Sequence, residues 1–90
     1  MPYADQQVMH TVRSIIDEAE ADRCGVGRRF DRLVGDELTE RMRVWSAGAP
    51  STRVARAGVI MTRLRQAARA GDRVEIVAAA VRLGQLVATR

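Results

Sequence analysis

The apolar residues of this chain recur at intervals of three and four along most of its length, and no segment alternates with period two. That spacing places one face of an α-helix against a core, whereas strands need alternation, so the chain is expected to be all-α. Four segments carry the pattern. In the first, about Ala4 to Asp22, Val8, Val12, Ile15, Ile16 and Ala19 form the stripe, with Met9 at its edge. The second runs from about Arg28 to Ser46 on Phe30, Val34, Leu38, Met42 and Trp45. Glu37 stands four residues before Arg41 there, in the orientation that favours an ion pair. Val54, Ala57, Ile60, Met61, Leu64 and Ala68 mark the third, from Ser51 or Thr52 to Gly71. The fourth spans about Arg73 to Ala88.

Local stop and start signals separate these segments. Cys24-Gly25-Val26-Gly27 makes continuation of the first helix costly, because glycine in a helix gives up about 1 kcal/mol relative to alanine. Ala47-Gly48-Ala49-Pro50 reads as a turn, after which Ser51 or Thr52 offers a hydroxyl to the first amides of the third helix. Asp72, with Glu75 three residues on, is an aspartate form of the capping box. Four helices joined by short turns in 90 residues predict a compact four-helix bundle-like fold, with residues 1–90 forming a single helical domain.

The core of such a bundle has to be aliphatic, because Tyr3, Phe30 and Trp45 are the only aromatic residues. Small side chains bury less area each, so close packing or a partner subunit is needed. One cysteine, Cys24, excludes an internal disulfide and fits a reducing compartment. No signal peptide is visible in MPYADQQVMHTV, and no apolar run is long enough for a bilayer. A cytoplasmic protein without membrane contact is expected.

The fourth helix carries the most information. On a helical wheel Glu75, Arg82, Gln85 and Thr89 share one narrow side, and the rest is apolar over more than half the circumference. A surface helix needs an apolar arc only somewhat wider than 100°. This helix therefore either sits centrally among the other three or buries a second face against another molecule. Ala80, Gly84 and Ala88 recur every four residues, a strip of small side chains that admits a close neighbour. The association reading assigns the interface to Val77, Ala80, Leu83, Gly84 and Val87, with a second copy or a partner's helix as occupant.

Charge runs one way along the chain. Residues 1–22 carry five acids and one base, net −4; residues 23–50 carry four acids and six bases, net +2; residues 51–90 carry two acids and eight bases, net +6. Asp17, Glu18, Glu20 and Asp22 crowd the end of the first helix, where its dipole disfavours negative charge. Arginines such as Arg28, Arg29, Arg63 or Arg65 are the natural partners, and a solvated acidic face is the expectation for the cluster. All fifteen basic residues are arginine. A chain without lysine but rich in Ala, Val, Gly and Arg has the composition of a GC-rich genome, so arginine content alone argues little for nucleic acid.

A nucleic-acid reading draws on placement instead. Arg53, Arg56 and Arg63 flank one side of the third helix and Arg65 and Arg69 the other. The stretch from Ala21 through Gly25-Val26 to Phe30 resembles the Ala-x-x-x-Gly-Val turn of helix-turn-helix regulators. That resemblance implies a recognition helix at Arg28–Val34 and DNA contacts from Arg28 and Arg29. Asp31 departs from the pattern, which has an apolar residue there, and Gly27 adds a second glycine to the turn.

Catalytic chemistry finds little to work with. His10, the lone histidine, falls on the polar side of the first helix with no nameable partner or nucleophile. Cys24, next to Arg23, would be reactive only at a helix start, and the buried small-residue role is commoner. No metal set or cofactor motif is present, so no catalytic residue, metal or cofactor is assigned. Two function classes follow: a non-enzymatic helical protein–protein interaction module that self-associates or receives a partner helix, or an arginine-rich DNA- or RNA-binding regulator.

Overall fold

The computed structural model describes residues 3–21 and 28–89, with the side chains of Arg28 and Arg29 outside that description. It is all-α. Helix α1 spans Tyr3–Glu20; α2, Arg28–Arg32, continues through a π-helical turn, Leu33–Glu37, into α3, Leu38–Ala47; α4 spans Ser51–Ala70 and α5 Arg73–Ala88. With α2, the π turn and α3 counted as one rod, the described residues form a four-helix bundle without strands. The Cα radius of gyration is 12.1 Å, close to the roughly 12 Å of a well-packed chain of this length.

The π turn follows from the spacing of the stripe. Phe30, Val34, Leu38 and Met42 lie four apart, and in a helix of 3.6 residues per turn each such step drifts about 40° around the axis. A wider π turn between the first and last pairs absorbs the drift. The Leu38 amide donates to the Leu33 carbonyl five residues back, and Phe30, Val34, Leu38, Met42 and Trp45 all face the core. Gly35 sits inside this turn.

Local chemistry sets the helix ends. Gly48 closes α3 at φ −108°, ψ 6°, and Pro50 opens α4 at φ −59°, ψ 146°. The cap position of α4 thus falls on Pro50, without a side-chain bond, and not on Ser51 or Thr52; the locked proline φ makes the entry instead. At the other end of α4, Gly71 takes φ 66°. Its amide reaches the Ala68 carbonyl at 3.2 Å, and the Asp72 amide reaches Ala67 at 3.0 Å, a Schellman ending. Asp72 accepts from the Glu75 amide at 3.2 Å and so caps α5. The reciprocal half of a capping box is precluded, because the Asp72 amide is already committed to Ala67.

Helix α5 packs chiefly between α1 and α4, and α1 also lies along α3. Val8, Val12 and Ile15 of α1, Leu64 of α4, and Ile76, Ala80, Leu83 and Val87 of α5 are fully enclosed. A polar clamp crosses the core boundary. Arg41 on α3 donates to the Gln7 carbonyl at 2.9 Å and to Thr11 Oγ1 at 2.7 Å, while Glu37 holds its other nitrogen at 3.0 Å. The enclosed Thr11 hydroxyl in turn donates a hydrogen bond to the Gln7 carbonyl at 3.3 Å. The Glu37–Arg41 pair expected from the spacing therefore serves to aim Arg41 at α1.

Candidate functional site

Four of the five residues assigned to an intermolecular seam lie inside the protomer. Ala80, Leu83, Gly84 and Val87 are buried, and only Val77 reaches the surface, half-buried near Glu20, Arg73 and Val74. The small-residue strip does admit a close neighbour, but that neighbour is α1 of the same chain. A Cβ on Gly84 would stand 3.4 Å from both Met9 Cε and Val12 Cγ1. An exposed seam through those four residues is corrected accordingly.

The excess apolar circumference of α5 nevertheless remains, displaced to its outer side. Val74 is 71% exposed and Val81 40% exposed, one on each side of the half-buried Ala78. Between α5 and α4 this outer side drops into a groove of about 380 Å³. Its apolar lining is Val59 and Ile60 from α4 with Ala78, Ala79 and Leu86 from α5. Val59, at the lip, is 58% exposed. Arg56 and Arg63 form the α4 wall, and Glu75 and Arg82 the α5 wall.

Why these arginines sit there follows from the wheel of α4. Its core line, Ala57, Met61 and Leu64, is buried, and positions 56 and 63 fall on the flank turned towards α5. The other arginines go elsewhere. Arg53 is half-buried at the end of the bundle near Trp45 and Pro50. Arg65 donates to Thr39 Oγ1 at 2.7 Å and thereby ties α4 to α3. Arg69 lies on the opposite flank, near Asp31 and Gly35. The arginines of α4 thus divide between two flanks and one end.

No family model, curated protein or solved structure matches this chain.

Of the acidic cluster, Asp17 and Glu20 are exposed, but Glu18 is only 7% exposed, so the expected fully solvated acidic face does not hold at that position. Its place on the wheel beside Thr11 and Ile15, towards the core, is the reason. Asp22 and the Cys24–Gly27 turn lie outside the described residues, and the helix-turn-helix resemblance with them. His10 is exposed, its carbonyl accepting from Ser14 Oγ at 3.1 Å. Among the described residues no three His, Cys, Asp or Glu side chains come together as a metal-binding group, and no helix is long and apolar enough to cross a membrane.

Among the described residues, one ion pair perturbs titration. Arg43 donates to Glu40 through Nε at 3.1 Å, and these hydrogen bonds and the adjacent charge hold the Glu40 carboxyl below the usual glutamate range and raise Arg43. Both side chains are solvent-exposed on α3, away from the groove. The groove itself was missed at the sequence level. The available signal was Val59, an apolar residue off the α4 stripe at a position that a solvated face would give to a polar one.

Proposed function

We propose that this chain is a non-enzymatic protein–protein interaction module whose docking surface is the α4–α5 groove together with the outer side of α5. The observation that carries this reading is the pairing of a completed core with unspent apolar surface. Helix α5 has already buried Ile76, Ala79, Ala80, Leu83 and Val87 against its own chain, and still presents Val74 and Val81 beside a groove floored by Ile60, Ala78 and Leu86. Apolar side chains gathered in a concave strip gain about 25 cal/mol per Å² when a partner covers them. A trough between two packed helices is shaped to take the ridge of a third.

Nucleic acid is the competing occupant, because Arg56, Arg63 and Arg82 converge on this groove. A phosphate backbone would satisfy the arginines but leave the apolar floor without a partner, so the protein reading uses more of the site.

The test places a photo-crosslinking amino acid at Val59, at Val81 and, as a control, at His10 on the outer side of α1, within the cells that produce the protein. Cross-links to a discrete protein from Val59 and Val81, lost on Leu86→Asp and not seen from His10, are the expected result. Cross-links to nucleic acid, or none from either valine, would overturn the reading.

A further inference from the structure

We infer that the occupant of the α4–α5 groove is an acidic amphipathic helix. This rests on the docking reading above and goes beyond it in assigning the partner's chemistry. The rim carries three arginines and one carboxylate, all exposed: Arg56, Arg63, Arg82 and Glu75. Arg56 and Arg63 are two helical turns apart on α4, about 10 Å. Counted outward from the Gly71-Asp72 turn that joins the antiparallel helices, Arg82 stands level with the interval between them. The positive charges therefore alternate across the trough, and Glu75 lies at its turn end. A helix seated there meets an arginine on either flank through the middle and far end of the groove. Flanking glutamates or aspartates meet that charge, and an apolar stripe at three-to-four spacing meets Val59, Ile60, Ala78 and Leu86.

Among the described residues, a second copy of this chain offers no such helix. Its exposed acids Asp17 and Glu20 belong to α1, and Asp31, Asp36 and Glu40 to the α2–α3 rod, helices whose core stripes are already buried; Asp72 and Glu75 belong to α5 and its cap. The outer strip of a second α5 brings apolar Val74 and Val81, but there Arg73 and Arg82 balance Asp72 and Glu75, so it offers a positive rim no net negative charge. The partner is thus a different chain whose flanks are net negative.

Fluorescence anisotropy on the intact protein tests this with labelled synthetic peptides of about four helical turns. The first carries leucines at three-to-four spacing with glutamates on both flanks. A second replaces every glutamate with lysine, a third scrambles the leucines among the glutamates, and a single-stranded oligonucleotide of equal charge serves as the polyanion control. The leucine–glutamate peptide alone should bind, and more weakly as salt rises. Arg63→Gln and Arg82→Gln should each weaken it by about two- to fivefold, since each removes one exposed charge pairing. The Arg56→Glu, Arg63→Glu, Arg82→Glu triple variant should instead bind the lysine peptide. All three arginines are solvent-exposed, and circular dichroism checks that the fold survives. Equal binding of the glutamate and lysine peptides, of the scrambled peptide, or of the oligonucleotide would overturn the inference. If no peptide binds while Val59 still cross-links to a protein, the acidic-helix assignment falls and the docking surface stands; if both experiments are blank, both fall.

Discussion

Replacing Gly84 separates an interior helix contact from an intermolecular one. A methyl at this position would stand 3.4 Å from Met9 Cε and Val12 Cγ1 and 3.5 Å from Met9 Sδ. These contacts lie at the short edge of ordinary van der Waals distance, and the half-buried, unbranched Met9 side chain can ease away while the stiff, buried Val12 stays in place, at a cost of order 0.5 kcal/mol. Against this stand about 1 kcal/mol of helix propensity and about 0.8 kcal/mol for a newly buried methyl. Gly84→Ala should therefore stabilise the protomer by roughly 1 kcal/mol. For a chain of this size that raises the urea midpoint by about 0.5–1 M. Gly84→Leu adds three more carbons where α1 already touches, and overpacking of that kind costs about 1–3 kcal/mol. Urea unfolding followed by far-ultraviolet circular dichroism, at two protein concentrations tenfold apart, reads both effects. Both shifts should be independent of concentration, because Gly84 meets α1 of its own chain. A destabilised alanine variant, a leucine variant as stable as the parent, or midpoints that move with concentration would refute the α1–α5 packing argued here.

The Arg41 clamp yields a second prediction: Arg41→Met removes the hydrogen bonds to Gln7 and Thr11 and should cost about 1–3 kcal/mol by chemical denaturation. Arg41→Lys should recover only part of this, since an ammonium lacks the fork that reaches two acceptors and Glu37 together. At the α4–α5 turn, Gly71→Ala forces a side chain into φ 66° and Asp72→Ala removes the cap on the Glu75 amide; each should cost about 1 kcal/mol in the same assay. Glu40 is held below its usual range by Arg43, so its stabilising contribution is present above the unfolded-state carboxylate pKa and lost as pH falls through the lower folded value. With both partners fully exposed and screened, Glu40→Gln should leave the acid-unfolding midpoint unchanged, and a clear shift would show that pair to matter more than exposure allows.

The helices were legible because their boundaries are local chemistry. Gly71 ends α4 and Asp72 starts α5 through bonds spanning five residues at most, and the Ala47–Pro50 turn is equally short-range. The π turn was legible in principle, since a strict four-residue spacing from Phe30 to Met42 cannot stay on one side of a 3.6-residue helix, yet propensity alone points to a plain α-helix there. Glu18 shows the opposite case: a carboxylate among three other acids reads as solvated, and only the seating of α1 against its neighbours decides that it is enclosed.

Most instructive is α5. Its sequence states how much apolar circumference it has, but the choice of which arc is left over belongs to the neighbours. Once α1 settles on Gly84 and α4 on Ala79, the leftover arc must contain Val74, Ala78 and Val81, and it must border whatever α4 displays at positions 56, 59 and 63. Those three are Arg, Val and Arg. A groove with a greasy lip between two cations is thus a product of helix rotation, and no single helix of this chain encodes it alone. The practical consequence is a separation of variants. Substitutions on the Ala80–Gly84–Val87 side should change stability and leave docking intact, whereas Val59→Asp should change stability by no more than about 0.5 kcal/mol and abolish docking. Should Val59→Asp and Gly84→Leu instead impair both properties alike, the two faces of α5 would not be the independent surfaces that their burial implies.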